Sequence, residues 1–333
     1  MSLRVTLRDL ARRAGVSMNT VSRALNNKPD VSARTRQRVL RLARRLGYTP
    51  NSLAQGLRVR RTGAIGVVVA DIANPFFAAV VKGIDEVAHA AGYSIVLCTT
   101  DEEYAREEEA IDLLLRKRVD GLLLAPCQTD RGTVALLQQK RVPFVLIARR
   151  FDDLPTPYVV NDDARGGFLA TEYLISKGHR RILFINGPKE IWSAQQRQAG
   201  YLRALAAHRI EPDPALLRTT TAMMDGSYRT MLEVLDAGVP FTAVYAFSDL
   251  LAMGVLKALR ERGRRVPHDV AVVGHDDIEF VEILETPLTT VDMSKSRLGR
   301  EAARILIGQL RQPVPLGQVQ VTLEPRLVVR DSA

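Results

Sequence analysis

Apolar residues recur along this chain in two rhythms. Between positions 7 and 46 they fall three and four apart: Leu7, Leu10, Ala11 and Ala14; then Val21, Ala24 and Leu25; then Val39, Leu42, Ala43 and Leu46. That spacing predicts three short amphipathic helices. Thr6, with Asp9 three residues later, is a start signal, and Gly15 is a stop. Ser17 starts the second helix, and the third runs from about Ser32 to Leu46 and ends at Gly47. After Thr62 the rhythm changes. Continuous apolar runs IGVVV, SIVLC, GLLLA and FVLI, later ILFIN, AVYAF and VAVVG, alternate with helix-length segments. This predicts βα units whose parallel strands are buried on both faces. A second set of runs begins near Tyr158, so two doubly wound lobes are expected, with ligands at the carboxyl ends of the strands. The expected fold class is an N-terminal all-α head followed by an α/β two-lobed body.

Charge divides the chain at the same place. Residues 1–61 hold 15 Lys+Arg and 2 Asp+Glu, a net +13, while the remainder holds 32 against 35, a net −3. A small basic helical head on a near-neutral body suggests a polyanion partner, and the helices suggest duplex DNA. In a helix-turn-helix the second helix enters the major groove. Here its outer face carries Met18, Asn19, Ser22 and Arg23. Asn can bond adenine bidentately, Arg can bond guanine, and Met can touch a thymine methyl. The same periodicity describes a solvated three-helix bundle; the charge concentration and the short polar residues at the helix starts favour DNA.

No catalytic constellation is visible: no G-x-S-x-G, Walker loop, H-E-x-x-H or dinucleotide glycine fingerprint. His89, His179, His208, His268 and His275 are dispersed, with His275 read as cavity lining, so no metal, cofactor or enzyme activity is expected. Glu107, Glu108 and Glu109 read as a solvated helix face, and Cys98 and Cys127 as reduced core thiols. No apolar run approaches the roughly 18–20 residues that span a bilayer. The start, MSLRVTLRDL, has no apolar signal region. A cytoplasmic prokaryotic protein with no membrane partner is expected.

Residues 5–26, then VSARTRQRVLRLARRLGYTPN and LAQGLR, resemble the start of a LacI/GalR-family regulator. The likeness continues through IGVVVADIANPFF, DGLLLAP, GHRRILFINGP, SDLLAMGVLKAL, VAVVGHDD and TPLTTVDMSKSRLGREA, in order and with the expected spacing. The resemblance implies a repressor of palindromic operator DNA, switched allosterically by a small polar effector. It implies a helix-turn-helix domain at 1–49, a hinge helix at 50–61 and an effector-binding, dimerising body at 62–333. The body would be periplasmic-binding-protein-like, its first lobe 62–157 with 291–320 and its second 158–290 with 321–330. Met18, Asn19 and Arg23 would read bases; Thr6, Ser17, Thr20, Ser22, Asn26 and Ser32 would hold the phosphate backbone. Leu57 matches a leucine that wedges into the minor groove.

Motif matching also implies a cleft. Asp71, Phe76, Phe77, Arg197 and Asp276 correspond to ligand-holding positions. Ala148, Ser248, Ala222, Met293 and Lys295 stand where relatives often carry other side chains, and Trp192 is the candidate to replace a missing ring. With Ala148 removing an acceptor and Arg149, Arg197 and Lys295 as cations, the expectation leans toward a sugar acid or phosphate over a neutral sugar. A homodimer is expected, through the helices near residues 76–91 and 248–261. Control by a nucleobase or a protein co-regulator, or a solute-binding receptor, are the alternatives.

Overall fold

The computed structural model describes residues 5–25, 27–48, 62–312 and 319–333. They form two compact units, Met1–Thr62 and Gly63–Ala333. The hinge segment 50–61, with Leu57, and Asn26 lie outside the described residues.

The head contains α1 (Leu7–Ala14), α2 (Met18–Leu25) and α3 (Ala33–Arg45). Thr6 and Asp9 make a reciprocal capping box, and Gly15 ends α1 in the left-handed conformation that favours glycine. Ser17 Oγ accepts from the Thr20 N–H at 3.1 Å, and Ser32 Oγ accepts from the Thr35 N–H at 3.3 Å. One core joins the three helices through Leu10, Ala14, Val21, Ala24, Val39 and Ala43.

In the body, the first lobe is built from β1 (Ala64–Val69), α4 (Pro75–Ala90), β2 (Ser94–Thr99), α5 (Tyr104–Arg116), β3 (Gly121–Leu124), α6 (Gly132–Gln139), β4 (Phe144–Ile147) and β5 (Tyr158–Asn161). The second follows with α7 (Asp163–Ser176), β6 (Ile182–Asn186), α8 (Trp192–Ala207), β7 (Leu217–Thr219), α9 (Met224–Asp236), β8 (Ala243–Ala246), α10 (Asp249–Glu261), β9 (Ala271–Val273) and β10 (Thr290–Asp292). The chain then runs through α11 (Lys295–Arg311), β11 (Gln320–Leu323) and β12 (Arg326–Val328). The first sheet has strand order β11-β5-β4-β3-β1-β2 and the second β7-β6-β8-β9, all parallel. Strands β1, β3, β4, β5, β6 and β8 are almost wholly buried, as continuous apolar runs covered by helices require.

Pairing corrects the expected lobe boundaries. Tyr158 and Val159 pair with Leu146 and Ile147, so β5 completes the first sheet. Val321 to Leu323 pair with β5 and belong there too. Val291, expected in the first lobe, pairs with Leu327 of β12 beside the second sheet. All three strands were misassigned because an apolar run does not reveal which sheet it joins. The chain thus crosses between lobes near residues 162, 293–294 and 324–325.

Helices α4 and α11 pack closely because two glycines let their backbones meet. A Cβ on Gly299 would lie 2.0 Å from the Val80 carbonyl oxygen, and one on Gly83 would lie 2.2 Å from that of Ser296. Glu107 is fully buried, contrary to the solvated face expected of residues 107–109. It accepts from the Cys127 N–H at 2.5 Å and from the Thr133 hydroxyl, bonds that make burial of a carboxyl tolerable. Burial pushes its carboxyl above the usual range, with Thr133 and Cys127 pulling the other way.

Candidate functional site

A cavity of about 430 Å³ opens between the lobes at the carboxyl ends of their strands. Of the residues expected there, Asp71, Phe76, Phe77, Ala148, Arg197, Ala222, Ser248 and Asp276 line it, as does Arg149. Asp71 follows β1, and Asn74 caps α4 by accepting from the Phe76 N–H at 3.0 Å. That cap seats Phe76 and Phe77 at the cavity, their rings edge to face at 5.2 Å.

Arg197 is the centre of the second-lobe wall and is buried. Its Nε donates to Asp163 Oδ1 at 2.7 Å, its Nη2 to Asp276 Oδ1 at 3.5 Å, and its Nη1 to the Phe247 carbonyl. The guanidinium carbon sits 4.4 Å from the centre of the Phe247 ring. Burial raises the Asp276 carboxyl to about 6, with Arg197 and Lys295 restraining the rise. Burial likewise lifts Asp163, against the pull of Arg197. For Arg197 itself burial is the largest influence and opposes the charge, but Asp163 and Asp276 outweigh it and leave its pKa raised.

On the first-lobe wall, Arg149 donates from Nη1 and Nη2 to the two carboxylate oxygens of Glu102, at 2.6 and 2.5 Å. Each cleft arginine is therefore already engaged by the protein's own carboxylates. Five acids line the cavity, Asp71, Asp101, Glu102, Asp163 and Asp276, against these two arginines. With both arginines held by acids, and Asp101 itself paired with Arg106, this geometry favours a neutral ligand over an anionic one.

Four expected residues lie elsewhere. The Lys295 Nζ, at the first position of α11, donates to the backbone carbonyls of Asp276 and Asp277 and so braces the cavity from behind. Met293 is fully buried, its sulfur 3.0 Å from His275 Nε2. His275 pairs through Nδ1 with the Tyr245 hydroxyl at 2.9 Å and does not line the cavity. Burial, then Arg197, drives its pKa well below the usual value, so the ring is neutral. Trp192 starts α8 but its ring packs among first-lobe apolar residues, and its backbone N–H donates to Gln128 Oε1 at 2.6 Å.

Sequence reading missed Asp101, Glu102, Asn161, Asp163, Ser193 and Phe247, all of which line the cavity. Asp101, Glu102 and Asn161 stand at or just after strand ends, where the general rule for open α/β sheets places ligands. Asn161 Oδ1 is buried and finds no hydrogen-bond partner among the described residues. It is a ready acceptor for a ligand O–H or N–H.

In the head, Thr6, Ser17, Met18, Asn19, Arg23 and Ser32 are exposed, while Thr20 and Ser22 are half-buried. Met18 keeps 48% of its surface, much for an apolar side chain on an eight-residue helix. Met18, Asn19, Ser22 and Arg23 share the side of α2 opposite its buried Val21 and Ala24. Among the described residues no group of three His, Cys, Asp or Glu could hold a metal, and no helix is long and apolar enough to cross a membrane.

Comparison with known proteins agrees with both units. Residues 6–51 match the family model "Bacterial regulatory proteins, lacI family", and residues 62–317 match "Periplasmic binding proteins and sugar binding domain of LacI family". The chain is similar to the ribose operon repressor of Escherichia coli strain K12, 35% identical over 98% of this chain and 99% of that protein. It is similar to the structure of the transcriptional regulator CelR in complex with cellobiose, at 36% identity and a TM-score of 0.77, covering 99% of this chain and 100% of that one. It also resembles the Lac repressor dimer bound to operator and the anti-inducer ONPF, at 30% identity and a TM-score of 0.87, with 99% of each chain covered.

Proposed function

From the premise that this chain belongs to the LacI family of bacterial regulatory proteins, a DNA-binding repressor family, we propose how this member works. It acts in the bacterial cytoplasm as a homodimer on a palindromic operator. Met18, Asn19 and Arg23 read base edges, and Thr6, Ser17, Thr20, Ser22 and Ser32 fix the register on phosphates. A neutral polyhydroxylated molecule, a sugar, occupies the cavity of each body and shifts operator affinity.

The observation that carries the effector class is the pairing of both cleft arginines. Arg197 is committed to Asp163 and Asp276, and Arg149 to Glu102. What remains for a ligand is chiefly acceptors, the spare carboxylate oxygens and Asn161 Oδ1, beside the Phe76 and Phe77 rings. Hydroxyl donors on an apolar ring face complement that set.

Calorimetric titration of the full chain with matched pairs tests this: ribose with ribose 5-phosphate, glucose with gluconate, and cellobiose with cellobionate. A neutral member is expected to bind, and its anionic partner at least about tenfold more weakly. An anion that binds as tightly as its neutral partner overturns the effector class. Loss of all operator preference in Arg23→Ala and Asn19→Ala is not required, but each should cost about 1–3 kcal/mol of discrimination. Equal weakening on operator and random duplex overturns the assigned readers.

A further inference from the structure

The head carries only two acids among its first 61 residues, Asp9 and Asp30. Asp9 belongs to the capping box of α1. Asp30 makes an ion pair with Arg23, from Nη2 to Oδ2 at 2.5 Å. Both side chains remain about half exposed, at 48% and 45%. Such a surface pair adds little to stability. Its cost for a protein that must approach phosphates is plain, because a carboxylate there repels the duplex.

Asp30 is mounted on a held loop between α2 and α3. The Arg36 Nη2 donates to the Lys28 carbonyl at 2.5 Å and to that of Val31 at 3.3 Å, and Val31 is buried in the head core. The Lys28 N–H donates to the Arg23 carbonyl at 3.0 Å, tying the loop to the end of α2. The acid thus meets Arg23 from a fixed position. A guanidinium has five N–H donors in a plane. Engaging one of them leaves four for a base edge, while the nearby negative charge disfavours a swing of the arginine onto phosphate.

We propose that Asp30 is a specificity-determining positioning residue, which holds the Arg23 guanidinium for base reading and denies it to the phosphate backbone. This rests on the reading of α2 as the recognition helix. It goes beyond that reading by assigning a role to a residue that need not touch DNA.

The test uses the full chain and two labelled duplexes. One is the tightest binder selected by the wild type from a randomised library; the other is a scrambled duplex of equal length and composition. Affinities come from fluorescence anisotropy at fixed salt. Arg23→Ala is expected to lower the selected-over-scrambled ratio by about 5- to 150-fold. Asp30→Ala and Asp30→Asn should lower it about three- to tenfold while raising affinity for the scrambled duplex. The loss should fall on the same base pair that Arg23→Ala relaxes. In an Arg23→Ala background, Asp30→Ala should change the ratio no further. If Asp30→Ala strengthens both duplexes equally, or if the two substitutions add, the proposal is overturned while the recognition helix stands. If Arg23→Ala leaves the ratio intact, the recognition reading and this proposal fall together.

Discussion

Arg197→Met offers the sharpest test of the cleft's electrostatics. The substitution removes a buried guanidinium that faces Asp163 at 2.7 Å and Asp276 at 3.5 Å. Both acids then lose their main compensating charge while buried. Breaking such a pair by deleting one partner costs about 3–5 kcal/mol. Above pH 7 that figure is the expected loss of stability for the variant. The penalty is pH-dependent, and its sign follows from the raised carboxyls. A carboxyl whose folded pKa exceeds its unfolded value contributes stability that is complete below the unfolded value and fades as pH rises through the folded one. For Asp276 in the wild type that window runs from the ordinary 3.8 to about 6. Without Arg197 the folded values of Asp276 and Asp163 rise further, so both take up protons more readily as pH falls and the variant recovers toward pH 5. What persists at pH 5 is loss of the guanidinium stacked on Phe247 and of its bond to the Phe247 carbonyl, about 1–2 kcal/mol. Urea unfolding at pH 5 and pH 8 separates the two parts. Adding Asp163→Asn should restore some stability at pH 8 and little at pH 5. A penalty equal at both pH values, or below about 1 kcal/mol at pH 8, refutes the reasoning.

Two further outcomes are expected. Asp249 is fully buried, accepting from Thr290 Oγ1 at 2.6 Å and the Ile278 N–H at 2.8 Å, and burial followed by the Asp276 charge lifts it to about 8. Wild-type stability should therefore fall from pH 5 to pH 9, and Asp249→Asn should flatten that part of the unfolding profile; an unchanged slope refutes the assignment. Gly299→Ala should destabilise by about 3 kcal/mol or more because its Cβ would strike the Val80 carbonyl, whereas Gly308→Ala on the same helix meets nothing and should stabilise by about 0.5–1 kcal/mol. Thermal unfolding of the two variants decides, and a similar effect from both would refute the close packing of α4 on α11.

Periodicity alone located the three head helices and strands β1 to β4, β6, β8 and β9, because amphipathic stripes and buried apolar runs are local signals; short strands such as β7 (Leu217–Thr219) and β10 (Thr290–Asp292) carry no such run. Thr6, Gly15, Ser17 and Ser32 were legible as caps for the same reason. Sheet membership was not, since what assigns β5 and β11 is a register with partners up to 162 residues away. The cleft divides along the same line. Asp71, Phe76 and Arg197 were reached through the resemblance to the family, and all three line the cavity. Lys295 carried a cation that sequence could not aim, and two nearby carbonyls captured it. The arginines were weighed without Asp163 and Glu102, which hold them in the folded chain. Asp163 and Glu102 lie 34 and 47 residues from the arginines they engage, a pairing that exists only in the folded chain.

The placement of Trp192 gives this protein a built-in optical reporter. It is the chain's one tryptophan, so the indole emission has a single source. The ring starts a second-lobe helix yet lies among first-lobe side chains, with the Arg150 guanidinium 5.4 Å from its centre and an indole N–H that has no partner among the described residues. Parting of the lobes wets the indole and withdraws the cation from its face, and both changes alter its emission. The head contributes no tryptophan, so its own fluorescence is confined to tyrosine. Titrating unlabelled protein with a sugar, or with duplex DNA, therefore reads the seam between the lobes in both experiments through one fluorophore and with no engineered label.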